Sequence, residues 1–135
     1  MNVMFLHEMG INPVAGGISR MTSVLTSGLR SKGFNVFYLS MIKLDSVDYD
    51  DNQFFFPDSD VPTGDENTNY LIQFVRENSI DILINQATSS LIYRELSFVV
   101  KHIGVKVISV IHNSLLTPIT NFAALNENRI IDLGL

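Results

Sequence analysis

Two groups of residues in this chain could do chemistry. The first is Gly16-Gly17 with Arg20, which stands between the apolar run Val3 to Leu6 and a helical pattern that continues to Lys32. A strand that runs through glycines into a helix suits a phosphorylated ligand. Glycine lets the backbone approach closely, and the first N–H groups of the helix are unpaired. The helix N-terminus also carries roughly half a positive charge. The second group is His112-Asn113, closing the apolar strand Val105 to Ile111. Each has a plainer reading: a glycine pair also makes a tight turn, and a lone histidine at a strand end is often a structural hydrogen-bonder.

The elements that would hold these residues follow from periodicity. Asn2 to Leu6 reads as a buried strand and His7 to Ala15 as a loop. A helix follows, with Ile18, Met21, Leu25 and Leu29 on its inward face, and Gly33 stops it. Phe34 to Met41 is a second strand. After an acidic loop, Phe54-Phe55-Phe56 is a short third strand near a sheet edge, ended by Pro57. Thr63 and Glu66 have the spacing of a capping box. The helix they open turns Tyr70, Leu71, Phe74 and Val75 inward. Ile80 to Asn85 is a fourth strand, Ser89 to Ile103 a helix with Ile92, Leu96, Val99, Val100 and Ile103 inward, and Val105 to Ile111 a fifth strand. Thr117-Pro118 opens a last helix to about Asn126; the segment 128–135 fits no single pattern.

Strands alternating with helices give an α/β fold. The expectation is one domain over residues 1–135: a Rossmann-like, doubly wound parallel sheet of order 3-2-1-4-5 between helices in a three-layer αβα sandwich. In such sheets ligands bind outside the carboxyl ends of the strands. His7, Glu8, Gly16, Gly17, Asn85, Gln86, Thr88, Ser89, His112, Asn113 and Ser114 should therefore converge there.

Composition narrows the classes. With 46% hydrophobic and 17% charged residues, 135 residues can bury a core. There is no cysteine, hence no disulfide framework or thiolate metal site. No basic and apolar leader opens the chain, and no apolar run is long enough to span a bilayer. These features suit a cytoplasmic protein. The net charge of −5 argues against nucleic acid as a partner. Residues 41–70 hold eight acids against one base; the rest of the chain has eight bases against six acids and no basic cluster.

On these residues the chain resembles the N-terminal domain of the group-one, retaining nucleotide-sugar glycosyltransferases of GT-B fold. Gly16-Gly17-Ile18 with Arg20 resembles their Gly-Gly-x-x-Arg turn. The helix from Leu25 into Gly33-Phe34-Asn35-Val36 is similar to their helix into Gly-His-x-Val, with Phe34 where the family often has histidine. Asp81 to Asn85, and Val107 to Asn113 with its histidine, resemble two later strands. The likeness covers about residues 1–113. It implies that Gly16 and Gly17 face the donor diphosphate, that Arg20 and Asn113 belong to the substrate site, and that His112 is catalytic, hydrogen-bonding the transferred sugar. It implies no cofactor beyond the nucleotide-sugar substrate, an acceptor sugar or lipid, a role in polysaccharide synthesis, and a place at the inner face of the membrane. The family's second domain, which closes the cleft and supplies most donor contacts, has no counterpart in these 135 residues. The expectation is an acceptor-side half that is inactive alone and self-associates weakly through its open face.

Other chemistries fit less well. Asp58-Ser59-Asp60 matches the metal-binding Asp-x-Asp of the other glycosyltransferase fold, but Pro57 and Pro62 bracket it, and a solvated loop with no metal is expected. Gly16-Gly17 lacks nicotinamide-type spacing, and no acid ends the second strand. A receiver-like domain needs an acidic cluster where Glu8 stands alone. The alternative from another class is a non-catalytic α/β domain that binds a phosphorylated ligand or a protein.

Overall fold

The computed structural model describes residues 1–14 and 16–110. His112, Asn113, Ser114, the helix expected from Thr117 and the segment after it lie outside the described residues, as does Ala15.

The described chain forms β1 (Asn2–Met9), α1 (Gly17–Ser31), β2 (Asn35–Ile42), β3 (Gln53–Phe55), α2 (Asp65–Glu77), β4 (Ile82–Asn85), α3 (Leu91–His102) and β5 (Lys106–Ser109). All strand pairs are parallel, in the order β3-β2-β1-β4-β5. Helices cover both faces, so this is the doubly wound, three-layer α/β fold that the alternation of elements implies.

The two faces are unequal. On one, Met4, Leu6, Leu39 and Leu83 pack against Leu71, Phe74 and Val75 of α2 and Tyr93, Leu96 and Val100 of α3, within a cluster of 14 buried apolar residues. Each such side chain withdrawn from water stabilises the fold by about 1.5–3 kcal/mol. On the other face, among the described residues, α1 covers a cluster of four: Phe5, Ile11, Val36 and Tyr38.

Three local expectations are corrected. β1 runs to Met9, because His7 pairs with Ser40 and Met9 with Ile42, and the Gly10 amide donates to the Ile42 carbonyl (3.0 Å). On α1, Thr22 and Thr26 are buried in place of Met21 and Leu25. The threonines find partners beneath the helix: the Tyr38 hydroxyl donates to Thr26 Oγ1 (2.6 Å), and Thr22 Oγ1 lies 2.8 Å from Gln86 Oε1. The capping box at Thr63 does not form. The Gly64 amide turns back to the Val61 carbonyl (2.9 Å), so Gly64 is the N-cap, and Asp65 and Glu66 face the helix dipole from the first turn. Inside that turn Asn67 is fully buried. Its amide donates to the carbonyls of Asp58 and Pro62 and its oxygen accepts from the Asp58 N–H, which ties the 58–62 loop to α2.

The C-terminal glycine signals hold. Gly33 and Gly104 have φ of 88° and 92°, and the Gly33 and Phe34 amides close α1 by donating to Arg30 and Leu29. α3 buries Leu96 and Val100 as expected, but Tyr93 and Ser97 as well.

Candidate functional site

At the carboxyl end of the sheet the chain leaves β1 and must turn into α1. Gly10 is buried there, and a Cβ on it would come within 2.5 Å of the Tyr49 ring and 2.9 Å of Phe55. Only glycine fits that approach. The loop is then built from backbone donors. The Ile11 amide donates to Gln53 Oε1 (2.9 Å), Asn12 to Ser19 Oγ (3.2 Å) and Val14 to Asn12 Oδ1 (3.3 Å).

Gly16 and Gly17 differ from Gly10. Gly16 is extended (φ 171°, ψ 174°), which any residue adopts, and neither glycine lies in the left-handed region that favours glycine. A Cβ on either would meet nothing within 4 Å. The described fold thus has no steric or conformational need for glycine at these positions. They open α1 with no side-chain cap and no acidic residue in the first turn, so the positive end of the helix is left uncompensated. A cavity of about 230 Å³ lies against them, walled by His7 and Met9 of β1, Asn12 and Ser19, and Leu44 after β2.

Beneath that turn runs a polar row. Side chains two apart on a strand share a face, and paired residues of parallel strands share it too. Phe5, Tyr38 and Ile84 belong to the α1 face, so His7, Ser40 and Gln86 do as well. His7 pairs with Ser40, and Gln86 follows the Leu6–Asn85 pair on the other side. The Met9 amide donates to His7 Nδ1 (3.2 Å). The Ser40 hydroxyl and the Gln86 amide nitrogen are buried with no hydrogen-bond partner. An orphaned buried polar group costs about 1–3 kcal/mol, and here two of them flank one strand end. The sequence carries the signal for this row: apolar alternation on three strands ends in Ser40, His7 and Gln86 together once the order 2-1-4 is expected.

The remaining sequence candidates divide. Gly16 and Gly17 line the cavity; Arg20 is exposed on the first turn of α1 and does not. Asn85 serves the fold, donating to the Tyr93 carbonyl (3.3 Å) and accepting from the Ala87 amide (2.9 Å). Thr88 donates to the Val110 carbonyl (2.9 Å). Glu8 points to the opposite face, where its charge adds to burial in raising the Tyr93 phenol above its ordinary value. His112 and Asn113 lie outside the described residues. Asp58 Oδ1 accepts the amides of Asp60 and Val61 (3.0 and 3.2 Å), a loop-closing role, and among the described residues no group of three acidic, histidine or cysteine side chains could hold a metal.

The acidic loop after β2 is more fixed than its charge suggests. Arg30 makes a two-pronged ion pair with Asp50 (3.0 and 3.2 Å) and donates to the Val36 carbonyl. That pairing lowers the Asp50 carboxyl below its usual range and raises the Arg30 guanidinium. Tyr49 stacks edge-on against Phe55 at 5.1 Å.

Around this end of the sheet, large apolar side chains face solvent: Met9, Val14, Ile42, Leu44, Val61 and Leu91.

No protein-family model matches the sequence, and a search of curated proteins finds no significant relative. Among the described residues no helix is long and apolar enough to cross a membrane.

Proposed function

We propose that this chain is the acceptor-side domain of a nucleotide-sugar glycosyltransferase and that its β1–α1 turn receives the donor diphosphate. One observation carries the reading. Gly16 and Gly17 leave open space at an uncapped helix N-terminus, over a cavity, although nothing in the described fold demands glycine there. A diphosphate oxygen needs that space and those N–H groups. The orphaned Ser40 and Gln86 groups beneath the turn suit a polar ligand, directly or through water. The exposed apolar rim suits a second domain closing over the same end. The resemblance supplies the sugar chemistry, and His112 its catalytic role.

A second reading has its own support: among the described residues, His7 is the one ionisable side chain lining this cavity. A domain that binds a phosphorylated ligand without catalysing anything needs no more.

Titration with inorganic pyrophosphate and with UDP-glucose, followed by amide NMR shifts, tests the site. Gly16, Gly17 and Ile18 should move, and Gly17→Val should abolish the movement while the fold persists. Unmoved amides, or an unchanged response in Gly17→Val, would reject the diphosphate site. Binding of pyrophosphate with no preference for the nucleotide sugar favours the second reading.

A further inference from the structure

The second helix carries a stripe of rings and polar groups. Tyr70, Gln73, Phe74, Glu77 and Asn78 recur at spacings of three and four, so they share one flank of α2. That flank meets Phe54 of β3 at the outer edge of the sheet. Phe54 and Phe74 lie edge-on with ring centroids 4.9 Å apart, and Tyr70 and Phe74 are closer to parallel at 6.1 Å. Phe37 backs Phe54 and Phe74 at 6.4 and 5.9 Å. Phe74 is buried, while Phe54 and Tyr70 stay half-buried. These rings and the polar members of the stripe wall a cavity of about 340 Å³. It lies on the opposite face of the sheet from the glycine turn, and the donor site makes no use of it.

The wall selects its guest. Among the described residues no lysine or arginine lines the cavity, whereas Glu77 does. Gln73 Nε2 donates to Glu77 Oε1 (2.7 Å), which steadies the carboxylate and leaves its other oxygen unpartnered. Burial, and then the Glu77 charge, raises the Tyr70 phenol above its ordinary value. Asn78 Nδ2 is turned to the Phe74 carbonyl (3.0 Å). The cavity thus offers ring surface and an anionic acceptor. A phosphate meets like charge there, and a purely apolar guest strips water from the carboxylate with nothing in return. A guanidinium suits both parts: it is flat, weakly hydrated, stacks on rings and forks onto a carboxylate.

The neighbouring strand edge favours a peptide as the carrier of that group. β3 is an outer strand. Tyr38 and Ser40 of β2 bond to Asn52 and Phe56 (both 2.9 Å), so by the alternation of a parallel ladder Phe55 turns its N–H and C=O away from the sheet. Among the described residues no strand takes them up. Residues 41–70, which include this edge, hold eight acids against one base, a field that draws cationic chains. We infer that an extended, basic segment of a partner protein adds to β3 and sets an arginine side chain in the cavity, on Phe54, Tyr70 and Phe74 and against Glu77. Backbone pairing supplies the direction of such a segment and the cavity its specificity.

The test uses the full chain and a capped peptide of alternating threonine and valine with one central arginine. The peptide should shift the ring NMR signals of Tyr70 and Phe74 and slow hydrogen exchange at the Phe55 amide. Citrulline in place of the arginine keeps the shape and loses the charge, and should weaken binding on the order of tenfold, as should Glu77→Gln. Glu66→Gln removes the same charge from the first turn of α2, outside the cavity, and should change affinity by less than about twofold, since solvent screens it. Nα-acetylarginine amide lacks the backbone pairing and should bind about tenfold more weakly than the peptide. Equal binding of the arginine and citrulline peptides, or a Glu77→Gln loss no greater than that of Glu66→Gln, would overturn the arginine pocket. Peptide binding that leaves Phe55 exchange unchanged, or a single arginine derivative that binds as tightly as the peptide, would overturn strand addition by a partner.

Discussion

Asn67→Ala should be among the most damaging single changes in the described chain, although it removes no apolar group. The side chain is fully buried and makes three short-range bonds: from the Asp58 amide (2.9 Å), to the Asp58 carbonyl, and to the Pro62 carbonyl (3.0 Å). A hydrogen bond contributes about 1 kcal/mol net, and a buried partner left unmatched costs a further ~1–3 kcal/mol. The 58–62 loop is partly exposed, so water can rescue some of the three orphaned groups. The loss should be about 3 kcal/mol. Unfolding entropy near 2.1 cal/mol/K per residue makes that a fall of roughly 10 °C in Tm for a domain of this size. Urea unfolding with circular dichroism measures it. Asn67→Asp sharpens the test, since a carboxylate still accepts the Asp58 amide but faces two carbonyl oxygens with no proton to offer. It should be at least as damaging as alanine at pH 7 and recover in part as acid protonates it. A Tm within about 2 °C of wild type for Asn67→Ala, or an Asn67→Asp variant as stable as wild type at pH 7, would refute the view that Asn67 is what fastens this loop.

Three other outcomes are expected. Gly10→Ala should lose about 1–3 kcal/mol in urea unfolding, because its Cβ lands on the Tyr49 and Phe55 rings, whereas Gly16→Ala should leave stability within ~0.5 kcal/mol. Asp50→Asn should cost less than ~1 kcal/mol at pH 7, since each partner of the pair with Arg30 is 37% exposed and so screened by solvent. The folded-state pKa of Asp50 is depressed, so its contribution is present above the unfolded carboxyl value near ~3.9 and fades as pH falls through the lower folded value. The gap between wild type and Asp50→Asn should therefore close in melts run from pH 7 to pH 2. The 135-residue chain should transfer no sugar from a radiolabelled nucleotide sugar, because transfer needs a closed, oriented cleft; product above the blank would sink the half-cleft picture.

Strand existence and order were legible because parallel strands buried on both faces must be near-continuously apolar, as Val3–Leu6 and Ile82–Ile84 are. The face of α1 was not. A hydrophobic count favours Met21 and Leu25, and it cannot know that Tyr38 and Gln86 supply partners that let Thr22 and Thr26 sit inside. The end of β1 was misjudged for a related reason. His7 and Glu8 look like loop residues, yet backbone pairing with β2 carries through them, since polar side chains at a strand's carboxyl end cost nothing where the sheet meets solvent or a ligand. Of the candidate site, the glycine turn could be picked out directly, while the row of Ser40, His7 and Gln86 needs the strand order first. Gly10, by contrast, reads as an ordinary loop glycine until Tyr49 and Phe55, distant in sequence, are seen to press on it.

The position of β1 at the centre of the sheet also sets a schedule for synthesis. Val3 pairs with Val36 on one side but with Ile82 on the other. The first partner emerges soon after; the second follows 79 positions later, an interval of about 4–16 s at cellular elongation rates. Throughout that wait the nascent β1-α1-β2 unit shows an unpaired, apolar strand edge along Val3 to Leu6, and non-local parallel pairing is slow to close even once β4 arrives. The vulnerable moment of this chain therefore comes on the ribosome, and a mutation that slows the arrival or docking of β4 should raise aggregation during expression more than it lowers the melting point of the protein that survives.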